Sequence, residues 1–227
     1  VTELLRAGME QEGSPQGVAI LMNPQTGEIL SLVSLPSYDN NLFIGGISAE
    51  NFQQLLDDPR KPLLNLAFGG FGFPPGSIFK MVTAAGALED AVIDRETTIF
   101  DPGSIRLPNK LAPDDRSKAQ IFVCWKRDGH GDQNIVEAIA HSCDVFFYEV
   151  GGGYTEGDEH FEGLGIERLD KWSMAFGLGE PTGIDLPGES AGLVPTPKWK
   201  RLAPHINESW VTGDTYNMSI GQGYLIV

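Results

Sequence analysis

The chain has 227 residues, enough to bury a substantial core as one domain or as two lobes. Its 31 acidic residues against 16 basic ones give a net charge of −15, and no basic run of five or more occurs, which argues against nucleic acid or an anionic membrane surface as a partner. No apolar stretch approaches the ~20 residues of a membrane span, and no signal peptide is visible.

Val1 is not an initiator methionine, and the chain opens directly into a helical pattern with Leu4, Leu5 and Met9. Gly17 to Met22 and Glu28 to Ser34 read as two strands, joined by the hairpin-turn sequence Asn23-Pro24-Gln25-Thr26-Gly27. Their apolar runs, nearly unbroken in the first, predict a sheet covered on both faces. Pro36-Ser37-Tyr38-Asp39 ends the second strand, and a polar segment through Arg60 follows, with a short helix from Ala49 to Leu56. Residues 1–48 therefore form an N-terminal helix and sheet hairpin, and 49–227 a mostly helical lobe. In that lobe the patterns predict helices at Ile78–Leu88, Ile135–Ala140, Val145–Val150 and Gly165–Phe176, with a last one starting near Met218. Asn134-Ile135-Val136-Glu137 has capping-box spacing and fixes one of these starts. Residues 101–120 read as an irregular loop, 151–163 as a flexible acidic insertion, and 179–197 as a turn-rich connection. A two-stranded hairpin is marginal alone, and no further strands are obvious downstream. The final run Tyr224-Leu225-Ile226-Val227 stops without a cap. The expectation is a piece of a longer protein whose remaining strands lie beyond it.

Pro74-Pro75-Gly76-Ser77-Ile78-Phe79-Lys80 carries the first chemistry. Residues three apart share a helical face, so the Ser77 hydroxyl and the Lys80 amine can meet. A serine hydroxyl is a poor nucleophile until a base takes its proton, and an uncharged lysine can be that base. A helix N-terminus disfavours positive charge and so favours the uncharged amine. Ser-x-x-Lys arises by chance about once in a chain of this size, and serine is a common helix cap. A plain cap, however, is served by Glu or Gln three residues on, whereas a cation there opposes the dipole.

His141-Ser142-Cys143-Asp144 falls between two predicted helices, where a second hydroxyl can relay a proton or position Lys80; alone, it is equally the cap of a helix starting at Val145. Taken in order, several segments resemble the transpeptidase domain of penicillin-binding proteins, nearest the elongation-type class B group often called penicillin-binding protein 2. They are Asn23 to Glu28, Pro36 to Asp39, Pro74 to Lys80, Ser142-Cys143-Asp144, Phe176 to Gly179, Thr182 to Glu189, and Gly213-Asp214-Thr215 through Gly221-Gln222-Gly223-Tyr224. The resemblance implies an α+β fold, a partial form of the one shared with serine β-lactamases. The N-terminal helix and the hairpin would belong to a central antiparallel sheet, and the C-terminal strands would be missing.

The same resemblance implies peptidoglycan D,D-transpeptidation. Ser77 would be the acylated nucleophile, Lys80 its base, and Ser142 the hydroxyl that passes protons toward the leaving amine. Asp144 stands where the superfamily most often has Asn; a carboxylate only accepts hydrogen bonds, whereas Asn also donates. The implied partners are D-Ala-D-Ala stem peptides, β-lactam antibiotics and a membrane glycosyltransferase of the elongation machinery. The implied location is outside the cytoplasm, anchored by an N-terminal segment absent from this chain. No cofactor is required for the chemistry. No Lys-Thr-Gly or Lys-Ser-Gly is present. In the family that motif's strand supplies one oxyanion amide, whose loss costs about 10²–10³ in rate, so the isolated chain is expected to be crippled. The alternatives are a D,D-carboxypeptidase, a serine β-lactamase, a β-lactam-sensing receptor domain and a structural partner in the wall-elongation complex.

Cys124 and Cys143 are the only cysteines. They can be buried free thiols, one disulfide, or ligands of a structural zinc. In the last case Cys124, His130 and Cys143 supply three ligands and Asp101, at an Asp-Pro-Gly turn, a fourth. The resemblance implies zinc held by Asp, His and Cys beside the active site, and these positions fit it. His141, His160 and His205 read as ordinary polar or surface residues.

Overall fold

In the computed structural model, which describes residues 1–70, 72–109, 112, 115–156 and 159–227, the chain divides into two units. The first comprises residues 1–72 and 183–190, the second 73–182 and 191–227.

In the first unit, α1 (Thr2–Glu12) ends at Gly13 in the left-handed conformation. Leu5 and Met9 lie against Gly17, where any side chain would meet the Met9 thioether. Gly17 begins β1 (Gly17–Met22), which pairs antiparallel with β2 (Ile29–Leu35). The turn between them closes because Asn23 accepts the Gly27 amide on its carbonyl and the Gln25 amide on its side chain. Ile20, Leu21 and Met22 are exposed. Apolar runs predict a sheet covered on both faces; within its own unit the hairpin has α1 packed against β1. α2 (Ala49–Asp57) follows, capped by Ser48, whose hydroxyl accepts the Asn51 amide.

The second unit holds the mostly helical lobe. A 3₁₀ turn, Gly76–Phe79, leads into α3 (Lys80–Glu89). Four short strands come next, β3 (Ile99–Asp101), β4 (Ser104–Leu107), β5 (Gln120–Val123) and β6 (Gly131–Gln133). β3 pairs with β6, placing Asp101 opposite Gly131, and β4 pairs with β5. The lobe continues through α4 (Ile135–Ala140), α5 (Asp144–Gly152), the hairpin β7 (Tyr154–Glu156) and β8 (Glu159–Phe161), then α6 (Gly165–Ala175), α7 (Pro197–Leu202) and α8 (Thr212–Ser219). α5 is mostly apolar and is buried from Asp144 to Gly151, its Asp144 and Glu149 included, as a central helix must be. Small residues set the close approaches around it: Gly151 lies on Ser219 of α8, and Gly86 of α3 lies on the Trp172 ring of α6. Phe79, Val145, Phe146, Phe147, Leu169 and Tyr216 fill the centre.

Several expectations change here. The stretch from 101 to 120 is largely irregular as expected, but it contains β4 and the adjoining ends of β3 and β5. The predicted flexible insertion begins with the end of α5, and Tyr154 then pairs across the hairpin with Phe161; its Gly157 and Asp158 lie outside the described residues. The last helix does not start near Met218 but ends at Ser219, and α7 adds a helix the periodicity did not suggest. Among the described residues no helix is long and apolar enough to cross a membrane.

The chain beyond α8 folds back onto the 3₁₀ turn. Gly221 accepts the Gly76 amide at 2.8 Å, and Val227 exchanges two backbone hydrogen bonds with Phe73 at 2.8 and 2.9 Å. A Cβ at Gly221 would collide with the Gly76 carbonyl, and its φ of 76° lies in the left-handed region. Gly221→Ala should therefore cost about 2 kcal/mol or more of unfolding free energy, because a left-handed conformation alone costs ~1–2 kcal/mol. Urea denaturation measures this, and an unchanged midpoint would show that the contact yields without penalty.

Candidate functional site

Ser77 stands exposed on the 3₁₀ turn, three residues ahead of a fully covered lysine. Residues three apart in a 3₁₀ turn eclipse, and the Lys80 amide donates to the Ser77 carbonyl, so the two side chains leave the backbone in one direction. The leading amides of such a turn have no partner within it. Among the described residues the Ser77 hydroxyl has no hydrogen-bond partner. Beside it Ile78 is 74% exposed, whereas Phe79 turns into the core.

Lys80 is 2% exposed, and its Nζ spends its hydrogens on three acceptors. They are the Ser142 carbonyl at 2.8 Å, the Ser142 Oγ at 3.1 Å and the Asp144 Oδ1 at 2.6 Å. The Phe147 ring lies 5.6 Å from the same nitrogen. A buried cation without such partners would be strongly unfavourable. The backbone explains why both Ser142 groups face the lysine. α4 ends in a Schellman motif in which the Ser142 amide donates to Ile139 and the Cys143 amide to Ala138. Ser142 occupies the left-handed position of that motif, φ 51°, where glycine is usual. Holding serine there costs ~1–2 kcal/mol and directs its carbonyl and hydroxyl at one point. Cys143 then caps α5, accepting the Phe146 amide at 3.5 Å, so that α5 begins at Asp144 rather than at Val145. The Asp144 carboxylate thus sits in a first helical turn, where negative charge is favoured.

The four metal-site candidates also converge. One ligand atom each from Asp101, Cys124, His130 and Cys143 lies within 4.8 Å of all the others. Asp101 Oδ2 is 2.7 Å from His130 Nδ1, accepts the Cys143 thiol at 3.2 Å, and accepts the His130 amide at 3.1 Å. Cys124 Sγ is 3.5 Å from His130 Nδ1. The Asp-Pro-Gly turn is closed by the Gly103 amide donating to Asp101 Oδ1 at 2.6 Å. Gly103, at φ 93°, lies so close to the Arg127 carbonyl that no Cβ fits, which lets the two ligand loops meet. Both cysteines are free and fully buried. Burial pushes both thiols up from the usual range, Cys143 the further. Burial works against ionisation of Asp101, but hydrogen bonds from His130, the Gly103 amide and both thiols outweigh it and hold its carboxyl below the usual range. Two thiolates, an imidazole and a carboxylate make a donor set suited to tetrahedral zinc, whose charge would ionise the thiols. Among the described residues the buried His130 Nε2 has no hydrogen-bond partner.

Some residues of the site were not singled out by the sequence. Trp125 is 61% exposed, yet its amide donates to Asp144 Oδ2 at 3.0 Å and its indole donates to the carbonyls of His141 and Ser142 at 3.0 and 3.1 Å. One residue, through its backbone amide and its indole, thus ties down both halves of the second motif. Only its position directly after Cys124 hinted at this. His141, expected to be an ordinary polar residue, stacks on His130 with ring centroids 5.6 Å apart and has its Nδ1 2.7 Å from Gln133 Oε1. Thr83 donates from one turn past Lys80 to the Ser219 carbonyl at 2.8 Å.

Residues 17–227 match the family described as the penicillin binding protein transpeptidase domain. The chain is 40% identical over 224 residues to the peptidoglycan D,D-transpeptidase MrdA of Haemophilus influenzae, covering 99% of this chain and 30% of that protein. It therefore spans about a third of the length of this curated relative. Among solved structures it resembles penicillin-binding protein 2 of Helicobacter pylori in complex with MreC, with a TM-score of 0.81 and 36% identity over 99% of this chain and 38% of that one. It also resembles penicillin-binding protein 2 of Pseudomonas aeruginosa in complex with WCK 5153, with a TM-score of 0.80 and 33% identity over 100% of this chain and 47% of that one.

Both neighbours of the Asp144 carboxylate are donors, Lys80 Nζ on one oxygen and the Trp125 amide on the other. An amide has one accepting atom, so Asp144→Asn turns an NH₂ toward one of them. The expected loss is about 1–3 kcal/mol of unfolding free energy, and urea titration at neutral pH measures it. Full retention of stability would mean that the two contacts are not made together in solution.

Proposed function

Because this chain belongs to the penicillin-binding protein transpeptidase family, we propose that the protein carrying it is a peptidoglycan D,D-transpeptidase working through a Ser77 acyl-enzyme. The observation that carries this reading is Lys80, buried and held by Ser142 and Asp144 one turn from an exposed, unbonded serine. Ser77 Oγ attacks the carbonyl carbon of the D-Ala-D-Ala peptide bond and gives its proton to Lys80 in the uncharged form. That amine keeps two hydrogens, which Asp144 and the Ser142 carbonyl can hold while its lone pair faces the hydroxyls. The Ser142 hydroxyl then passes a proton to the departing D-alanine nitrogen. The amine of a second stem peptide resolves the ester, forming the cross-link and restoring the Ser77 hydroxyl. β-Lactams would acylate the same oxygen. A D,D-carboxypeptidase would deliver water instead of the second amine, and a receptor domain would acylate once. The H. influenzae relative is named a transpeptidase, which favours cross-linking.

The proposal extends to the setting. The protein acts outside the cytoplasm, anchored to the cytoplasmic membrane, with a membrane glycosyltransferase of the elongation machinery as partner. An MreC-like protein joins that list, since the H. pylori relative was solved bound to MreC. A structural zinc ion would be held by Asp101, Cys124, His130 and Cys143. Such an ion supplies rigidity: Cys143 lies between Ser142 and Asp144, so fixing its sulfur fixes both neighbours.

A fluorescent penicillin should label the protein carrying this chain at one site. Ser77→Ala should abolish labelling, and Lys80→Ala should slow it by about 10²–10⁴, the range lost with a general base. Undiminished labelling of Ser77→Ala overturns the assignment. Elemental analysis should find one zinc per chain, lost in Cys143→Ser. Zinc-free protein with both thiols titratable under native conditions would sink the metal proposal.

A further inference from the structure

Behind the Ser77 turn lies a buried ion cluster that acyl transfer itself does not use. Lys200, on α7, is 3% exposed. Its Nζ donates to both oxygens of Asp214 at 3.0 and 2.8 Å and lies 3.5 Å from Glu208 Oε2. The same nitrogen is 5.5 Å from the centroid of the Tyr224 ring, and the Trp199 ring lies 5.3 Å from Tyr224. Burial works against the Lys200 charge, but the Asp214 carboxylate outweighs it and holds the amine above the usual lysine range.

The two groups that Lys200 grips are the two ends of one brace. Asp214 is in the first turn of α8 and accepts the Val211 amide on Oδ2 at 2.8 Å, which closes that turn. Tyr224 lies just beyond the other end of the helix. Between them the chain makes the contacts that hold the nucleophile turn: Ser219 accepts the Thr83 hydroxyl, and Gly221 accepts the Gly76 amide. After Tyr224, Ile226 exchanges two hydrogen bonds with Leu193 at 2.7 and 3.0 Å, and Val227 pairs with Phe73. The backbone is thus tethered at Phe73 and Gly76, on either side of Pro74-Pro75, by a segment whose helix start and aromatic ring meet on one ammonium. A neutral side chain of similar size could fill the space. Only a cation engages the carboxylates and the ring face together.

We infer that Lys200 is a positioning residue for the nucleophile: by joining Asp214 to Tyr224 it fixes the 219–224 segment against Gly76, and so fixes where Ser77 points. It touches neither substrate nor reacting atoms. The inference rests on the Ser77 acyl-enzyme reading for its catalytic consequence, though not for the brace itself.

The test compares Lys200→Met, Tyr224→Leu and Glu208→Gln with the parent in the protein that carries this chain. Single-turnover acylation by a fluorescent penicillin separates the acylation rate from the binding constant and counts titratable sites. Hydrogen exchange, measured on the peptide spanning residues 73–80, follows the Gly76 amide. Lys200→Met should lower the acylation rate about tenfold to a hundredfold, with binding constant and titre unchanged, and should speed exchange at Gly76. Tyr224→Leu should act in the same direction more weakly, because the ion pair survives. Glu208→Gln, whose parent carboxylate is the more exposed of the two, should leave both readouts within about twofold. Parental acylation rate and Gly76 exchange in both Lys200→Met and Tyr224→Leu would overturn the inference, as would a loss lying wholly in the number of titratable sites. Where Lys200→Met does not fold, Tyr224→Leu decides. If the parent protein is not acylated at Ser77 at all, the acyl-enzyme reading fails, and exchange at Gly76 still decides whether Lys200 braces the turn.

Discussion

The contact on which the rest of the site depends is the 2.6 Å pair between Lys80 and Asp144. An ammonium at the centre of a helical lobe must have every hydrogen accepted, or the fold loses several kcal/mol. That requirement fixes more than one side chain. It needs a carboxylate at a helix start, and a carbonyl and a hydroxyl from a single residue two positions earlier. Only one residue, Cys143, then separates the turn residue Ser142 from the start of α5 at Asp144. A Schellman turn with serine in the glycine position meets all three demands at once. The strain of a left-handed Ser142 is a local cost set against the burial of a cation, and the second term is the larger.

The one-residue gap also explains why the cysteine cluster lies where it does. Cys143 is the residue in the gap, and its sulfur points away from Lys80 toward Asp101. The β3–β6 pairing brings Asp101 level with Gly131, and His130 comes with it. Cys124 arrives from the end of β5, and its neighbour Trp125 reaches back to Asp144 and Ser142. Each side of the second motif therefore adjoins a candidate ligand in sequence: Cys143 lies inside it, and Cys124 precedes the residue that clamps it. A metal held there would act on the geometry around Lys80 through two short paths, one covalent at Cys143 and one through the Trp125 hydrogen bonds.

Much of this was legible in the sequence wherever one local signal sufficed. Asn134 and Glu137 form the capping box their spacing predicts, and α4 begins and ends where that places it. Pairing of Lys80 with Ser142 and Asp144 followed from motif order, and convergence of Asp101, Cys124, His130 and Cys143 from ligand type. What could not be read were elements stabilised from elsewhere. β3 to β6 are three or four residues each, too short for a period, and exist through partners up to about thirty positions away. α8 contains Thr212, Gly213 and Asp214, ahead of the Met218 start that the pattern predicts. It is helical because Gly213 lies on Phe122 and Gln120, Tyr216 is buried, and Lys200 holds Asp214. α7 did carry a signal, Thr196 as cap with Pro197 in the first turn, but a six-residue helix has no periodicity to support it.

The nucleophile proposed at Ser77 poses a mechanical problem that this fold answers from two directions. Its hydroxyl must stay unbonded and reachable, so no side-chain contact can hold it. A 3₁₀ turn of four residues has poor hydrogen-bond geometry and is weak by itself. Rigidity has to come through the backbone instead. On the C-terminal side Ser77 is followed by α3, which Phe79 and Lys80 anchor in the core and Thr83 ties to α8. On the N-terminal side two prolines restrict the chain, and Gly76 and Phe73 are hydrogen-bonded to the segment after α8. Lys80 belongs to the first anchor and Lys200, through Asp214 and Tyr224, to the second. The chain thus buries two lysines on either side of this turn's supports: Lys80 is held by Ser142 and Asp144 at the start of α3, while Lys200 joins Asp214 to Tyr224 in the segment that meets Gly76.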